Sequence, residues 1–266
     1  MPASRTQNIF LTGASTGIGL AIAQHLAAAG HQVWVASRHP KPETGIHPVP
    51  LDLLQPATIH RAFEQALAEA GHIDVLINNA GAGVFGPLDQ TPLDSIRDQF
   101  QLMVTGPLEL IQLVLPHLYR QGHGTIINIT SMAAELPIPY MAVYNAAKSA
   151  LSAATSSLRI ELAGNPIRVV ELQPGDINTG FHDSTKRVAG ADTERAQRVW
   201  QSQVRTMAAA PPPQRVAEAV ARILEMKCPP PVIRVADFFQ AHLAPLGQRF
   251  LPGRLMEWLI RRYYGL

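Results

Sequence analysis

The stretch NIFLTGASTGIG at residues 8–19 decides the fold, because an apolar strand pattern passes directly into a glycine turn and a helix pattern. Its glycines follow the spacing G-x-x-x-G-x-G, from Gly13 through Gly17 to Gly19. Glycines so placed permit a tight turn and a close approach of the backbone to a ligand, and the amides that open the helix face an anion. The stretch therefore predicts a strand–turn–helix unit that binds the pyrophosphate of a dinucleotide. The alternative is a structural turn without a ligand.

The rest of the chain alternates short apolar runs with helix-type segments. The predicted strands are 8–12, 32–36, 46–50, 73–78, 124–130, 167–172 and 232–235. The predicted helices are 17–29, 56–70, 93–118 and 143–163, with a kink or break at Gly106-Pro107. Near-continuous apolar strands separated by helices indicate a parallel sheet covered on both faces. We therefore predict an α/β fold with a doubly wound, Rossmann-like sheet of about seven strands, in one domain (1–266) with a C-terminal helical extension (235–266).

Composition excludes several classes of protein. The chain has 266 residues, 47% of them hydrophobic, and a formal net charge of +2, which suits one large core and neither a disordered nor a nucleic-acid-binding chain. A single cysteine, Cys228, excludes an intrachain disulfide, and the histidines lack zinc-type clustering. The first apolar strand begins near Asn8, and no apolar run approaches the ~20 residues of a membrane span. We expect a cytoplasmic protein without a signal peptide, metal, nucleic-acid partner or membrane span.

Three segments at predicted strand ends bear on the choice of dinucleotide. Ser37 and Arg38 stand where a carboxylate would bind the adenosine ribose and repel a 2′-phosphate, so we expect NADP(H) in preference to NAD(H). Asp52, beside Leu53, could contact the adenine edge or cap a helix. The run NNAG at 78–81 offers amides and a glycine that could hold a sugar and also pin neighbouring strands.

A tyrosine and a lysine four residues apart, Tyr144 and Lys148, share one face of the predicted helix. An ammonium about 5 Å from a phenol would lower the phenol pKa by ~2 units, into a range useful for proton transfer. Ser131 ends the preceding strand, and its hydroxyl could donate a hydrogen bond to an oxygen that gains charge. Chance spacing of two surface residues is the alternative for the pair alone.

Over residues 8–235 the chain resembles the short-chain dehydrogenase/reductase family. The motifs that carry the resemblance are TGASTGIG at 12–19, NNAG at 78–81, Ser131, YNAAK at 144–148 and Pro174-Gly175. The resemblance implies that Tyr144 is the general acid/base, that Ser131 polarises the substrate carbonyl, and that Lys148 lowers the tyrosine pKa and binds the nicotinamide ribose. The residues expected to bind the cofactor are Gly13, Ser15, Thr16, Gly17, Ile18, Gly19, Ser37, Arg38, Asp52, Leu53, Asn79, Ala80, Gly81, Tyr144, Lys148, Pro174, Gly175, Ile177 and Thr179.

One position departs from the family pattern. Many members carry an asparagine in the kinked helix, where it holds a water in a proton relay, and Met103 aligns with that position. A thioether cannot replace an amide as a donor. Either a neighbour such as Gln101 substitutes, or the water is held otherwise, or turnover is reduced.

The predicted substrate side is apolar. The loop 132–141 and Val84–Phe85 are mostly hydrophobic, and the segment 176–200 has the composition of a mobile lid, in which Phe181 and Trp200 could close over substrate or pack in the core. We expect substrate contacts from Ser131, Tyr144, Val84, Phe85 and Phe181. The basic amphipathic segment 249–264 is expected to pack on its own domain or a partner subunit, with contact to a membrane surface as the alternative.

Together these features predict an NADP(H)-dependent oxidoreductase that acts on a lipophilic steroid, retinoid, fatty or aromatic carbonyl or alcohol. The alternatives are an NADP(H)-binding protein with little catalysis that acts as a redox-responsive interaction partner, and an epimerase or dehydratase. The resemblance also implies a homodimer or homotetramer formed through helices 93–118 and 143–163.

Overall fold

The computed structural model describes residues 5–266, apart from the side chain of residue 242. The strands are β1 (Asn8–Thr12), β2 (Gln32–Ser37), β3 (Ile46–Pro50), β4 (Val75–Asn78), β5 (Val84–Phe85), β6 (Gly124–Ile129), β7 (Ile167–Pro174), β8 (Lys186–Arg187) and β9 (Val232–Val235). The α-helices are α1 (Gly17–Ala28), α2 (Pro56–Ala70), α3 (Leu93–Phe100), α4 (Gly106–Gln121), α5 (Ala142–Glu161), α6 (Phe181–Ser184), α7 (Glu194–Ala208), α8 (Gln214–Glu225), α9 (Ala244–Phe250) and α10 (Gly253–Tyr264).

Seven of these strands form one parallel sheet in the order β3-β2-β1-β4-β6-β7-β9, so the predicted doubly wound α/β fold is confirmed. The strand order changes direction between β1 and β4. Ligands of such sheets bind outside the carboxyl ends of the strands at this switch point. The glycine turn after Thr12 and the asparagines after Ile77 lie on either side of it.

Side chains alternate between two cores because successive residues of a strand face opposite sides of the sheet. Along β1, Ile9 and Leu11 belong to the core that α1 and α8 cover, and Phe10 belongs to the core beneath α2 and α4. The same alternation recurs in β2, where Val33 and Val35 face the first core. Burial on both faces explains why the strands are almost continuously apolar.

The predicted helix 93–118 is interrupted, as expected, but by a π-helical turn over Gln101–Thr105 rather than at the proline itself. Pro107 follows at the start of α4, where its missing amide donor costs little. Within residues 5–266, the continuous run Leu93–Gln121 is the one helix whose length and hydropathy would allow it to cross a membrane. Its residues Leu110 and Val114 are fully buried in the core beneath the sheet.

After β9 the chain turns back over the carboxyl edge of the sheet. A second π-helical turn (Phe239–Leu243) leads into α9 and α10, and α10 packs against α7. The extension predicted at 235–266 is therefore helical and lies beside the crevice. Strand β7 also continues to Pro174, past its predicted end, because Gln173 and Pro174 pair with β9.

Candidate active site

The turn between β1 and α1 is shaped by close packing on the NNAG segment. Gly13 (φ +70°) and Gly17 (φ +57°) have left-handed backbone conformations, which glycine adopts without strain. A Cβ on Gly13 would lie 2.5 Å from the Cα of Ala80, and one on Gly19 would lie 2.5 Å from Nδ2 of Asn79. No side chain caps α1, so the amides of its first turn stay available to an anion.

The NNAG segment ties β4 to its neighbours. Asn79 Nδ2 donates to the carbonyls of Thr12 (2.9 Å) and Gly13 (3.0 Å). Asn78 Nδ2 donates to Asn128 Oδ1 (2.8 Å), and Asn128 Nδ2 in turn donates to the Thr155 hydroxyl (2.8 Å). These bonds fix the switch point and the helix α5 relative to each other.

Ser131, Tyr144 and Lys148 lie together at the end of β6 and on the first turns of α5. The side chains of Ser131 and Tyr144 are hydrogen-bonded to each other. The Lys148 ammonium lies 5.9 Å from the centre of the tyrosine ring and donates to the Ile129 carbonyl at 2.9 Å. The strand end and the helix start are held together because Asn145 and Ser149 donate to carbonyls of the intervening loop, on Ile138 and Ala134.

A cavity of about 640 Å³ joins this trio to the glycine turn. Phe181 of α6 packs edge-on against the Tyr144 ring, with 5.5 Å between ring centres, and borders the cavity. Most of the expected cofactor-binding residues line it: Gly13, Thr16, Gly17, Ile18, Gly19, Asn79, Gly81, Tyr144, Lys148, Pro174, Gly175, Ile177 and Thr179. The opposite wall comes from α7 and the C-terminal helices and is mostly apolar, with Met207, Leu243, Leu251, Met256, Leu259 and Ile260.

Comparisons with known proteins match this arrangement. The family model for short chain dehydrogenases covers residues 7–189. The chain belongs to the short-chain dehydrogenase family. A 3-ketodihydrosphingosine reductase from Bacteroides thetaiotaomicron is 31% identical over 269 residues, which cover 98% of each chain. This short-chain dehydrogenase is therefore an oxidoreductase that acts on carbonyl or alcohol groups.

Solved structures agree with that assignment. A short-chain dehydrogenase from Streptomyces avermitilis has a TM-score of 0.79 and 27% identity, with 97% of each chain covered. A 3-ketoacyl-(acyl-carrier-protein) reductase from Brucella melitensis, in complex with NADH, has a TM-score of 0.74 and 26% identity over 85% of this chain and 95% of that one. The predicted family and the predicted enzyme class are confirmed.

The expected effect of Lys148 on Tyr144 is not present in the protein alone. Burial raises the pKa of Tyr144 to about 12, and the hydrogen bond from Ser131 offsets only part of that increase. Burial also lowers the pKa of Lys148 to about 8, because a desolvated ammonium is disfavoured. The prediction that the ammonium lowers the phenol pKa by ~2 units was wrong, because burial dominates the pKa of Tyr144 and raises it. At pH 7 both groups carry their protons.

Met103 and Gln101, both in the π-helical turn, make different contacts. Met103 is fully buried, and both its thioether and the Lys148 ammonium approach Gly81. Gln101 donates to the Leu53 carbonyl at 3.0 Å. Gln101 therefore secures the loop after β3 and does not replace the relay amide.

The residues expected at the adenosine end lie outside the cavity, along the carboxyl ends of β2 and β3. Ser37 is buried with no hydrogen-bond partner for its hydroxyl among residues 5–266. Arg38 is exposed and makes no ion pair with another described residue. The Asp52 carboxylate accepts bonds from the Leu54 amide and the Gln55 side chain, so it orders the turn before α2. Within the described chain, a buried hydroxyl without a partner and a guanidinium without an ion pair therefore stand at the position where the adenosine end of a dinucleotide is expected. Ser15, Leu53 and Ala80 also lie outside the cavity lining.

Two residues expected to contact substrate, Val84 and Phe85, do not border the cavity. Val84 and Phe85 form β5, which pairs with β8, and Phe85 is fully buried against Tyr140 and Trp200. Neither residue borders the cavity, and Trp200 packs in the core with them. Pairing of the two short strands turned this apolar segment inward.

Neither Lys186 nor Arg187, two cationic residues of the segment 176–200, lines the cavity. Lys186 donates to the Ser95 hydroxyl at 3.0 Å, and Arg187 pairs with Asp192 at 2.6 Å. Among residues 5–266, no group of three or more His, Cys, Asp or Glu side chains could hold a metal ion.

Proposed function

We propose that the protein uses NADPH to reduce the ketone of a long-chain lipophilic substrate. The observation that carries this proposal is the mostly apolar wall of the cavity, which lies opposite Ser131, Tyr144 and Lys148. The cavity between them has a volume of about 640 Å³. A cavity of that size and lining suits a ligand with a large hydrophobic body. The match over nearly the whole chain with a 3-ketodihydrosphingosine reductase favours an alkyl chain over a steroid or retinoid.

The protein's own groups supply the proton chemistry. A bound nicotinamide supplies the hydride for the carbonyl carbon. The Tyr144 phenol, which burial keeps protonated, donates its proton to the carbonyl oxygen. The Ser131 hydroxyl stabilises the charge that develops on that oxygen by hydrogen bonding. The Lys148 ammonium stabilises the tyrosinate that remains, and the buried surroundings strengthen this attraction.

Preference for NADP(H) over NAD(H) is part of the proposal. Its support is the absence of a carboxylate at the end of β2, where Ser37 and Arg38 stand. The substitution Arg38→Asp would remove the cation and repel a 2′-phosphate. We expect the ratio of NADPH to NADH affinity, measured by fluorescence titration, to fall roughly 30-fold, since paired charge–phosphate bonds contribute about 2 kcal/mol. The ratio staying constant would contradict the preference.

The assembly and location of the protein are proposed on weaker grounds. One domain over 1–266, a homodimer or homotetramer built through α4 and α5, and a cytoplasmic location stay predictions. Contact of the C-terminal segment with a membrane surface also stays a prediction. Its support is the outer face of α9 and α10, where Phe250 and Trp258 are exposed beside Arg249, Arg254 and Arg261.

The experiment that tests the proposed activity follows NADPH oxidation with long-chain, steroid, retinoid and aromatic ketones and with fatty aldehydes. We expect kcat/KM to rise with alkyl chain length, because each buried methylene contributes about 0.8 kcal/mol. NADPH binding without turnover of any of these compounds would favour the alternative, a cofactor-binding protein with little catalysis. The alternative draws its support from Met103, which offers no relay amide.

A further inference from the structure

The cavity contains one carboxylate among its described lining residues, that of Asp176. The cationic lining residues are Lys148, which serves Tyr144, and Arg262, whose guanidinium lies over the Trp258 ring at 5.9 Å. The wall beyond them is mostly apolar. Asp176 is therefore the negative charge that a ligand in this cavity would meet.

Asp176 is held in a fixed position by Gln240. Its backbone amide donates to Gln240 Oε1 at 3.0 Å, and Gln240 Nε2 donates back to Asp176 Oδ2 at 2.8 Å. In the described part of the chain, the other carboxylate oxygen accepts no hydrogen bond and no cationic side chain pairs with the group. A half-buried carboxylate without a cation is costly, and a bound cation would compensate that cost.

A second polar group in the same cavity also lacks a partner. The side chain of Gln203 on α7 is only 7% exposed, borders the cavity, and has no acceptor for Nε2 among residues 5–266. A buried amide donor left unpaired destabilises the folded protein, because its lost bonds to water are not replaced. Buried groups of this kind usually bond to a protein atom, a water or a ligand. Asp176 and Gln203 are therefore two incompletely bonded polar side chains in the lining of one mostly apolar cavity.

We propose that Asp176 binds the protonated amine of a long-chain α-amino ketone, while Gln203 donates a hydrogen bond to an oxygen of the same head group. This inference rests on the proposed function, because it names the substrate class of that site. Asp176 directly follows Pro174-Gly175 at the end of β7, so the ammonium would lie near the reacting carbonyl and the alkyl chain along α9 and α10. The compound named for the Bacteroides relative, 3-ketodihydrosphingosine, carries an amine beside its ketone.

The test uses the substitution Asp176→Asn, which removes the charge but keeps a side-chain oxygen that can accept from Gln240. Two quantities are measured for the wild type and for the variant, each as the full-length protein. One is kcat/KM for a long-chain α-amino ketone and for its N-acetyl derivative, which has the same chain and no charge. The other is calorimetric binding of the corresponding α-amino alcohol and its N-acetyl derivative to protein saturated with NADP⁺. The control is Asp183→Asn, because Asp183 is exposed on α6 and does not line the cavity.

We expect the wild-type protein to prefer the free amine in both readouts. In Asp176→Asn the ratio of amine to N-acetyl values should fall roughly 30-fold, since a desolvated, charge-assisted bond contributes about 2 kcal/mol. Gln203→Met should weaken both compounds by about fivefold without changing the ratio, because it removes a neutral hydrogen bond. Asp183→Asn should match the wild type.

A wild-type protein without a preference for the amine, or an Asp176→Asn ratio that does not change, would overturn the proposed subsite. Turnover of neither ketone, combined with amine binding that depends on Asp176, would instead overturn the proposed reductase activity and support the subsite. A wild-type protein that neither turns over either ketone nor binds either alcohol would overturn both.

Discussion

The two sides of the cavity are built in different ways. The sheet-edge side (residues 12–19, 78–81, 131–148 and 174–179) consists of short motifs that directly follow strands, and strand pairing sets their positions. The C-terminal side (residues 203–264) consists of side chains from α7, α9, α10 and a π-helical turn, and tertiary packing sets their positions. The family model matches residues 7–189 and thus ends before the C-terminal side begins. We therefore propose that the sheet-edge side carries the reaction chemistry and that the C-terminal side selects the alkyl chain of the substrate.

Among the variants that compare the two sides, the largest effect should come from the sheet-edge side, in Lys148→Met. We expect turnover to fall about 10³-fold, because the cation that stabilises the developing charges is lost. Steady-state NADPH oxidation measures this loss. Lys227→Met, which alters an exposed lysine that does not line the cavity, should keep the wild-type rate.

The same variant should be more stable than the wild type. Burial lowers the pKa of Lys148 from 10.5 to about 8, so the ammonium costs about 3 kcal/mol in the folded protein, of which about 1 is returned by its hydrogen bond to Ile129. Methionine should therefore raise the free energy of unfolding at pH 7 by about 2 kcal/mol. The cost is complete below pH 8 and disappears as the pH rises toward 10.5, so urea denaturation at several pH values checks it. A less stable variant at pH 7 would contradict this account of the buried cation.

An intermediate effect should come from Ser131→Ala. We expect kcat to fall about 10²-fold, with NADPH affinity unchanged, because the variant removes a hydrogen bond made to the reacting oxygen. The variant also removes the acceptor for the Ala133 amide, which should lower stability by about 1 kcal/mol. Kinetics and thermal melting measure the two effects separately. Ser157→Ala, an exposed site on α5, is the control, and equal kinetics for both variants would contradict a role for Ser131 in the reaction.

The smallest effect should come from the C-terminal side. In Leu259→Asp, kcat/KM for a long-chain ketone should fall about tenfold, because losing burial of an apolar side chain costs about 1.5 kcal/mol. A short-chain ketone should be reduced as by the wild type. Leu255→Asp is the matched control, since Leu255 lies one turn earlier on α10 and does not line the cavity. A rate loss that does not depend on chain length would contradict the proposal that the C-terminal side selects the alkyl chain.

Prediction from sequence succeeded where local rules apply. The strand bounds, the glycine turn and the i, i+4 relation of Tyr144 and Lys148 all follow from periodicity and helix geometry. The inward turn of Phe85 could not be predicted, since it depends on pairing of β5 with β8 across a long interval of sequence. Asp176, Gln203 and Gln240 were missed as lining residues for the same reason. The amphipathic pattern of α7 showed only that one face is buried.

The pKa of Tyr144 also could not be predicted from the sequence. The spacing predicted attraction by Lys148, but it gave no measure of how completely both side chains are buried, and that burial decides the direction of both shifts.

The most direct test of the central claim, that Tyr144 delivers the proton, measures NADPH oxidation and NADPH binding in one preparation of Tyr144→Phe. We predict a turnover at least ~10³-fold below that of the wild type, with a Kd for NADPH that differs by no more than about twofold. Tyr119→Phe, at an exposed position on α4, should behave as the wild type in both measurements. A Tyr144→Phe protein that keeps most of the wild-type rate would contradict the mechanism.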